Sequence, residues 1–181
     1  MVAAPIVTER LELVPLPLDA LASLAMRGRD EAASVTGAEI PADWPDDHDA
    51  GFFALRARQL RNEPARAEWP VYAIVLPGAD RRMIGHAGFH GPPGINSRRA
   101  DDAVEFGYTV FEDHRGRGYA TEAARALLDW ARDERGIRHF VLAVAPTNEP
   151  SLTIVRKFGF QQTGAQWDEE DGEELIFELR I

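Results

Sequence analysis

The sequence predicts an α/β domain in which a mixed β-sheet is flanked by helices, and three observations carry that prediction. Apolar residues at Ala120, Ala123, Ala124, Leu127, Leu128 and Ala131 recur at helical spacing, so a helix is expected over about Gly118 to Glu134. Strand-like runs bracket it, Val104 to Val110 before and His139 to Ala145 after. The second run is apolar almost throughout, as in a strand covered on both faces, so strand, helix and strand form a right-handed βαβ unit with parallel strands. The chain closes on Phe160 to Trp167 and Glu174 to Leu179, which read as an antiparallel hairpin around Asp171-Gly172.

The other elements follow in order. Thr8 to Val14 alternates polar and apolar residues and is stopped by Pro15 and Pro17, the pattern of a strand. Leu18 to Met26 reads as a short helix. From Gly28 to Asp49 the periodicity dissolves into Gly, Pro, Asp and Trp, and a second helix is expected from about Phe52 to Arg61. Val71 to Leu76 and Met83 to Phe89 read as paired strands joined across Pro77 to Asp80, followed by a Gly-, Pro- and Arg-rich loop from Gly91 to Asp101. A last helix, Ser151 to Phe158, ends at Gly159.

With 181 residues and 45% hydrophobic content, one domain with a sizeable core is expected over residues 1–181. No apolar run is long enough to span a bilayer and no charged-then-apolar leader starts at Met1, so a cytoplasmic protein without a membrane partner is expected. Cysteine is absent, which excludes disulfides, thiolate metal sites and a cysteine nucleophile. A net charge of −10 argues against a general nucleic-acid binder, because neutralising phosphates needs a basic surface. His86 and His90 share a strand face about 13 Å apart at strand rise, too far to chelate one ion, so no metal site is expected.

The most informative stretch is Arg115-Gly116-Arg117-Gly118-Tyr119-Ala120. Glycine weakens a helix, yet two glycines stand directly before the clearest helix of the chain. A helix start offers free backbone N–H groups and the positive end of a dipole, and glycine keeps side chains out of an anion's approach. Arg115 and Arg117 add positive charge there. Two readings stand side by side: a phosphate or pyrophosphate site, or a tight turn with solvated arginines. A Walker A loop is excluded, because no Gly-Lys-Ser/Thr follows, and the third glycine of the dinucleotide fingerprint is missing.

Arg115-x-x-Gly118-x-Ala120 resembles the Gln/Arg-x-x-Gly-x-Gly/Ala signature of the GNAT N-acetyltransferases. Glu105-Phe106-Gly107-Tyr108 before it and Ala120-Thr121-Glu122-Ala123 after it resemble the ribosomal-protein-alanine acetyltransferase branch. Asn148-x-x-Ser151 with Lys157-Phe158-Gly159-Phe160 is similar to that branch's closing motif, and Thr8-Glu9-Arg10-Leu11 to its opening strand. The four motifs occur in the family's order across nearly the whole chain.

The resemblance implies a single domain with a central, splayed sheet of about seven strands, and acetyl-coenzyme A as co-substrate. It places the coenzyme pyrophosphate on Arg115, Gly116, Arg117, Gly118, Tyr119 and Ala120, with Thr121 donating a hydroxyl or supporting the turn. Tyr108 to Val110, continuing to Phe111, would hydrogen-bond the pantetheine arm as an added strand, and Asn148 would contact the cofactor where two strands splay apart. Asn148 also reads as a turn residue, with Ser151 as the better helix cap. Glu122 reads as structural, a carboxylate favoured by the helix dipole.

Amide formation from a thioester needs a neutral amine and a thiolate that can be reprotonated. An α-amine, with a pKa of about 8, needs less help from a base than a lysine amine at about 10.4. Glu105 matches the position where the family often places a general base, against the reading of a buried or edge glutamate paired with an arginine. Many relatives carry a tyrosine where this chain has Val155, which leaves Tyr108, Tyr119 or water to protonate the thiolate.

For the acceptor, Trp44 with Asp43, Asp46, Asp47 and Asp49 reads either as an acidic, aromatic rim suited to a cationic amine or as a solvated helix-capping loop. Trp69, His90 and the loop with Arg98 and Arg99 border the same side and suit an acidic acceptor instead, so charge leaves the acceptor open. Protein N-termini and small amines are both expected classes, with a non-catalytic acyl-coenzyme A binder as the alternative to an enzyme. Exposed strand edges together with the family analogy admit a homodimer.

Overall fold

The computed structural model describes residues 3–168 and 172–181. It divides into two compact units, Met1–Gly88 with Tyr108–Ala126 and Phe89–Gly107 with Leu127–Ile181, so strands and a helix run from one unit into the other.

In the first unit, β1 (Ile6–Val7), β2 (Glu12–Pro15), β3 (Val71–Leu76) and β4 (Arg82–Phe89) pair antiparallel in that order. Of the expected strand Thr8 to Val14 only Glu12 to Val14 is extended, in β2, because Thr8 donates its N–H to the Leu11 carbonyl at 2.9 Å and turns the chain, and the unexpected β1 precedes that turn. Three helices complete the unit: α1 (Leu18–Ala25), α2 (Asp30–Thr36) and α3 (Asp47–Asn62). Leu21, Leu24, Ala32, Phe53 and Ala57 from the helices meet Val14, Val71, Ala73, Val75 and Met83 from the strands and Leu16 just after β2 in one core. Removing a side chain such as Phe53 from water contributes about 1.5–3 kcal/mol.

Helix α2 lies within the stretch that shows no periodicity in sequence, since it buries only Ala32 and Thr36. Helix α3 starts five residues before the expected Phe52, because the Asp46 side chain accepts the Asp49 N–H at 2.8 Å and caps it.

In the second unit, β5 (Ala103–Val110) pairs in parallel with β6 (His139–Val144) from Ala103/His139 to Glu105/Val141, while both strands continue beyond that register. The expected parallel pair and its divergence are both present. Beyond β6 lie β8 (Gly172–Arg180) and β7 (Gln161–Asp168), joined antiparallel. The expected hairpin is therefore observed, with Gly172 at φ +77° opening β8, while Asp171 of its turn lies outside the described residues. Helix α4 (Tyr119–Arg135) buries Ala123, Ala124, Leu127, Leu128 and Ala131 of the predicted stripe, while Ala120 is half-buried. Helix α5 (Glu149–Phe158) ends at the left-handed Gly159.

Phe106 is the hub of the second unit's core, with ring centroids 6.3 Å from Phe89 and 6.5 Å from Phe140 and Phe160. At its edge the buried His139 places Nδ1 2.8 Å from Asp102 Oδ1 and Nε2 2.6 Å from Glu178 Oε2. Arg98 donates to Glu178 at 2.7 Å, so the loop 91–102 is fastened to β6 and β8 by charge.

Candidate active site

Strand β5 leads directly into the glycine turn. The Phe111 N–H donates to the Ile84 carbonyl at 2.8 Å, and a short 3-10 turn, Glu112–His114, follows. Arg115 Nε then donates back to the Val110 carbonyl at 2.9 Å, which folds the turn against the strand end. Gly116 and Gly118 both lie in the left-handed region, at φ +74° and +81°. A Cβ at Gly116 would meet nothing within 4 Å, so the space over the turn is open. The Glu122 N–H donates to the Gly118 carbonyl at 3.0 Å, so Tyr119, Ala120 and Thr121 form the first turn of α4, whose N–H groups have no carbonyl partner within the helix. An exposed, glycine-lined helix start fits a pyrophosphate.

The charge around the turn agrees. Burial, followed by the charges of Arg117 and Arg82, pushes the His114 imidazole below its ordinary value, with only Asp113 opposing. Two guanidiniums thus act on one spot beside the turn. The sequence analysis names neither His114 nor Arg82 beside the turn; Arg82 is the first residue of β4 and far from the motif in sequence. Glu122 points the other way: its carboxylate accepts from the Thr8 hydroxyl at 2.6 Å and the Arg10 amide at 2.9 Å, which agrees with a structural role.

The remaining predicted residues are distributed as follows. Tyr108, Val110 and Phe111 lie in the first unit with the turn, and Tyr108 is half-buried. Glu105, His90 and Asn148 lie in the second. Glu105 is only 3% exposed and is held by Ser97, whose N–H and hydroxyl reach Oε2 at 2.5 and 2.8 Å, with His90 Nδ1 3.4 Å from Oε1. The residue is buried, yet its partners are a serine and a histidine where an arginine was anticipated. Ser97 is itself approached by Gln166 Nε2 at 3.2 Å. Asn148, rather than Ser151, caps α5: its Oδ1 accepts the Ser151 N–H at 3.2 Å. Val155 is fully buried in α5 as a core side chain.

The acidic, aromatic rim at Trp44 is not what forms. Trp44 is 7% exposed, packs on Phe53 and Phe111, and donates its indole N–H to Asp49, which also meets His86 Nε2 at 2.9 Å. Asp46 and Asp49 are thus a helix cap and a core partner, because the N-terminus of α3 and the indole both supply donors. Trp69 is likewise 7% exposed, and it lines a cavity. Among the described residues no three metal-binding side chains converge, and no helix is long and apolar enough to cross a membrane.

The acetyltransferase (GNAT) domain family model matches residues 10–161. The uncharacterised N-acetyltransferase YjdG of Bacillus subtilis strain 168 is 25% identical over 157 residues, 83% of this chain and 84% of that protein. Among solved structures, an acetyltransferase from Agrobacterium tumefaciens is similar with a TM-score of 0.65 at 22% identity, covering 100% of this chain and 96% of the other. RimL, a ribosomal L7/L12 alpha-N-protein acetyltransferase in complex with coenzyme A, is similar with a TM-score of 0.66 at 19% identity, covering 98% of both chains.

Proposed function

The chain belongs to the GNAT acetyltransferases, and from that premise we propose that it moves an acetyl group from acetyl-coenzyme A to a primary amine by direct attack in a ternary complex. The observation that carries the reading is the open glycine turn at the start of α4, with the charges of Arg82 and Arg117 acting beside it. In this reading Arg115, Gly116, Arg117, Gly118, Tyr119, Ala120 and Thr121 hold the pyrophosphate, and the backbone from Tyr108 to Phe111 holds the pantetheine arm. Asn148 keeps its amide for the cofactor while its oxygen caps α5.

The chemistry is a balanced exchange. The amine nitrogen attacks the thioester carbonyl, the C–S bond breaks, one proton leaves the nitrogen and one returns to the thiolate. Glu105 takes the first proton as general base, oriented by Ser97, and Tyr108 gives the second. Trp69 and His90 contribute to acceptor binding. A domain spanning 1–181, a cytoplasmic location and a homodimer complete the proposal. The specific observations favouring a non-catalytic acyl-coenzyme A binder are the buried Val155 and the full engagement of Glu105 by Ser97.

Thiol release from acetyl-coenzyme A against peptides beginning with Ala or Ser, polyamines, amino acids and aminoglycosides separates these readings. Turnover with one class identifies the acceptor. Glu105→Gln then lowers the rate most at the lower end of the pH range, where the amine is charged, and an unaltered pH profile removes Glu105 as base. Cofactor binding with no turnover on any amine favours the binder.

A further inference from the structure

Glu105, named above as the base, is only 3% exposed, so its carboxylate offers almost no surface to an amine. Two side chains of the same unit stand against it. The half-buried Ser97 donates its N–H to Oε2 at 2.5 Å, and its hydroxyl lies 3.0 Å from Oε1 and 2.8 Å from Oε2. His90 places Nδ1 3.4 Å from Oε1, and its imidazole is 45% exposed. The ring therefore joins a buried carboxylate to the surface.

The backbone fixes that arrangement. His90 follows β4, and its N–H donates to the Glu105 carbonyl at 2.8 Å, which sets the two residues side by side. Glu105 and Gly107 share one face of β5, as alternate residues of a strand do. A Cβ at Gly107 would lie 3.6 Å from His90 Nε2, so the ring runs along β5 with Nδ1 at Glu105 and Nε2 over Gly107. With glycine at 107, that position puts no side chain against Nε2. An ionised carboxylate only accepts hydrogen bonds, so an Nδ1 that faces it carries the proton, and the neutral ring keeps its lone pair on Nε2.

Resting on the acetyl-transfer reading above, we propose that the proton of the amine reaches Glu105 through His90. Nε2 takes one proton as the amine nitrogen attacks the thioester carbonyl. The Nδ1 proton is shared with Glu105 Oε1, so the imidazole and the carboxylate take up that one proton as a unit. After the C–S bond has broken, Nε2 returns the proton to water. His90 is then a catalytic residue that touches the amine, and Ser97 is a positioning residue that acts through Glu105. The 3.4 Å contact tightens when the acceptor is bound, as catalytic hydrogen bonds do on going from the free enzyme to the complex.

Two measurements on the full chain test it. Nitrogen NMR of the histidine rings, with the His90 signals identified by their loss in His90→Gln, reads the tautomer above the imidazole titration range and needs no turnover. A proton on Nδ1 and a bare Nε2 are expected, and a neutral ring with its proton on Nε2 overturns the proposal. Kinetics then use acetyl-coenzyme A and the amine of the panel above that turns over fastest. His90→Gln is expected to lower kcat about 10²-fold or more while the acceptor KM changes less than about threefold. The double variant with Glu105→Gln is expected to lose no more than the worse single variant, because the two residues act as a unit. A raised KM with kcat kept, as acceptor binding alone would give, overturns the relay. So do losses that multiply in the double variant, as they would if a water molecule served Glu105 and His90 acted apart. Those outcomes leave acetyl transfer standing, whereas cofactor binding with no amine acetylated by the unaltered protein removes acetyl transfer and the relay with it.

Discussion

Arg10 and Glu122, 112 positions apart, are joined by a 2.7 Å bond from Arg10 Nε to Glu122 Oε2. The same guanidinium donates to the Arg117 carbonyl at 3.0 Å and lies 4.9 Å over the Tyr119 ring, so one arginine braces both the glycine turn and the helix start. Burial pushes the Glu122 carboxyl up, but the Thr8 hydroxyl and the Arg10 amide and guanidinium outweigh it and hold it below its ordinary value. A depressed carboxyl contributes stability that is present above the ordinary carboxylate pKa and is lost as pH falls through the folded one. Glu122→Ala is expected to cost about 1–3 kcal/mol near neutrality and less in acid. Urea unfolding of both proteins across pH checks this, and a gap that stays constant into acid contradicts it.

Gly118→Val tests the phosphate turn. At φ +81° a β-branched residue is strained by more than about 1 kcal/mol, and its Cβ would stand 3.4 Å from Arg10 Nη2. Coenzyme A affinity is expected to fall at least about tenfold, since the side chain also enters the anion's approach, while the folded state persists. Unchanged affinity by calorimetry would remove the pyrophosphate assignment. Gly116→Ala, with open space around its Cβ, is expected to do less.

Gly85 is required for a different reason. A Cβ there would lie 2.1 Å from the Thr109 carbonyl oxygen and 3.0 Å from the Val110 Cα, both backbone atoms that cannot rotate away. Gly85→Ala therefore forces β4 from the strand that leads into the turn, and a loss of more than about 3 kcal/mol is expected. Denaturant unfolding measures it, and a midpoint equal to that of the unaltered protein would show the approach to be adjustable.

These positions mark how far the sequence was legible. The stripe on α4 and the strands β3 to β6 follow local periodicity, so their expected bounds differ from the observed ones by a residue or so. Helix α2 was invisible because Ala32 and Thr36 alone are buried, and β1 was missed and the turn from Thr8 to Leu11 read as strand because that turn is made by a hydrogen bond that composition does not encode. The glycine turn was legible because two left-handed residues directly before a helix need glycine in the chain itself. Ser97 against Glu105, Arg10 against Glu122 and Arg82 beside His114 were not, since each joins side chains from different elements through tertiary contact. Trp44 misled in the same way, as its loop composition hides a core position.

His114 offers a reading of the turn's charge. Its Nδ1 is buried with no hydrogen-bond partner among the described residues, and burial, Arg117 and Arg82 together favour the neutral ring. A bound pyrophosphate opposes those two arginine charges, so it raises the imidazole pKa toward or past its ordinary value. Because the bound state then holds more proton than the free state, binding takes up protons and coenzyme A affinity rises as pH falls through the imidazole range. Calorimetry in buffers of different ionisation enthalpy measures that uptake directly. The phosphates of the cofactor titrate in the same range, so His114→Gln is the necessary comparison: it is expected to remove the protein's share of the uptake and flatten the affinity profile. Equal proton uptake in the two proteins would mean that His114 does not sense the bound anion, and would move the pyrophosphate away from the face of the turn that Arg82 and Arg117 charge.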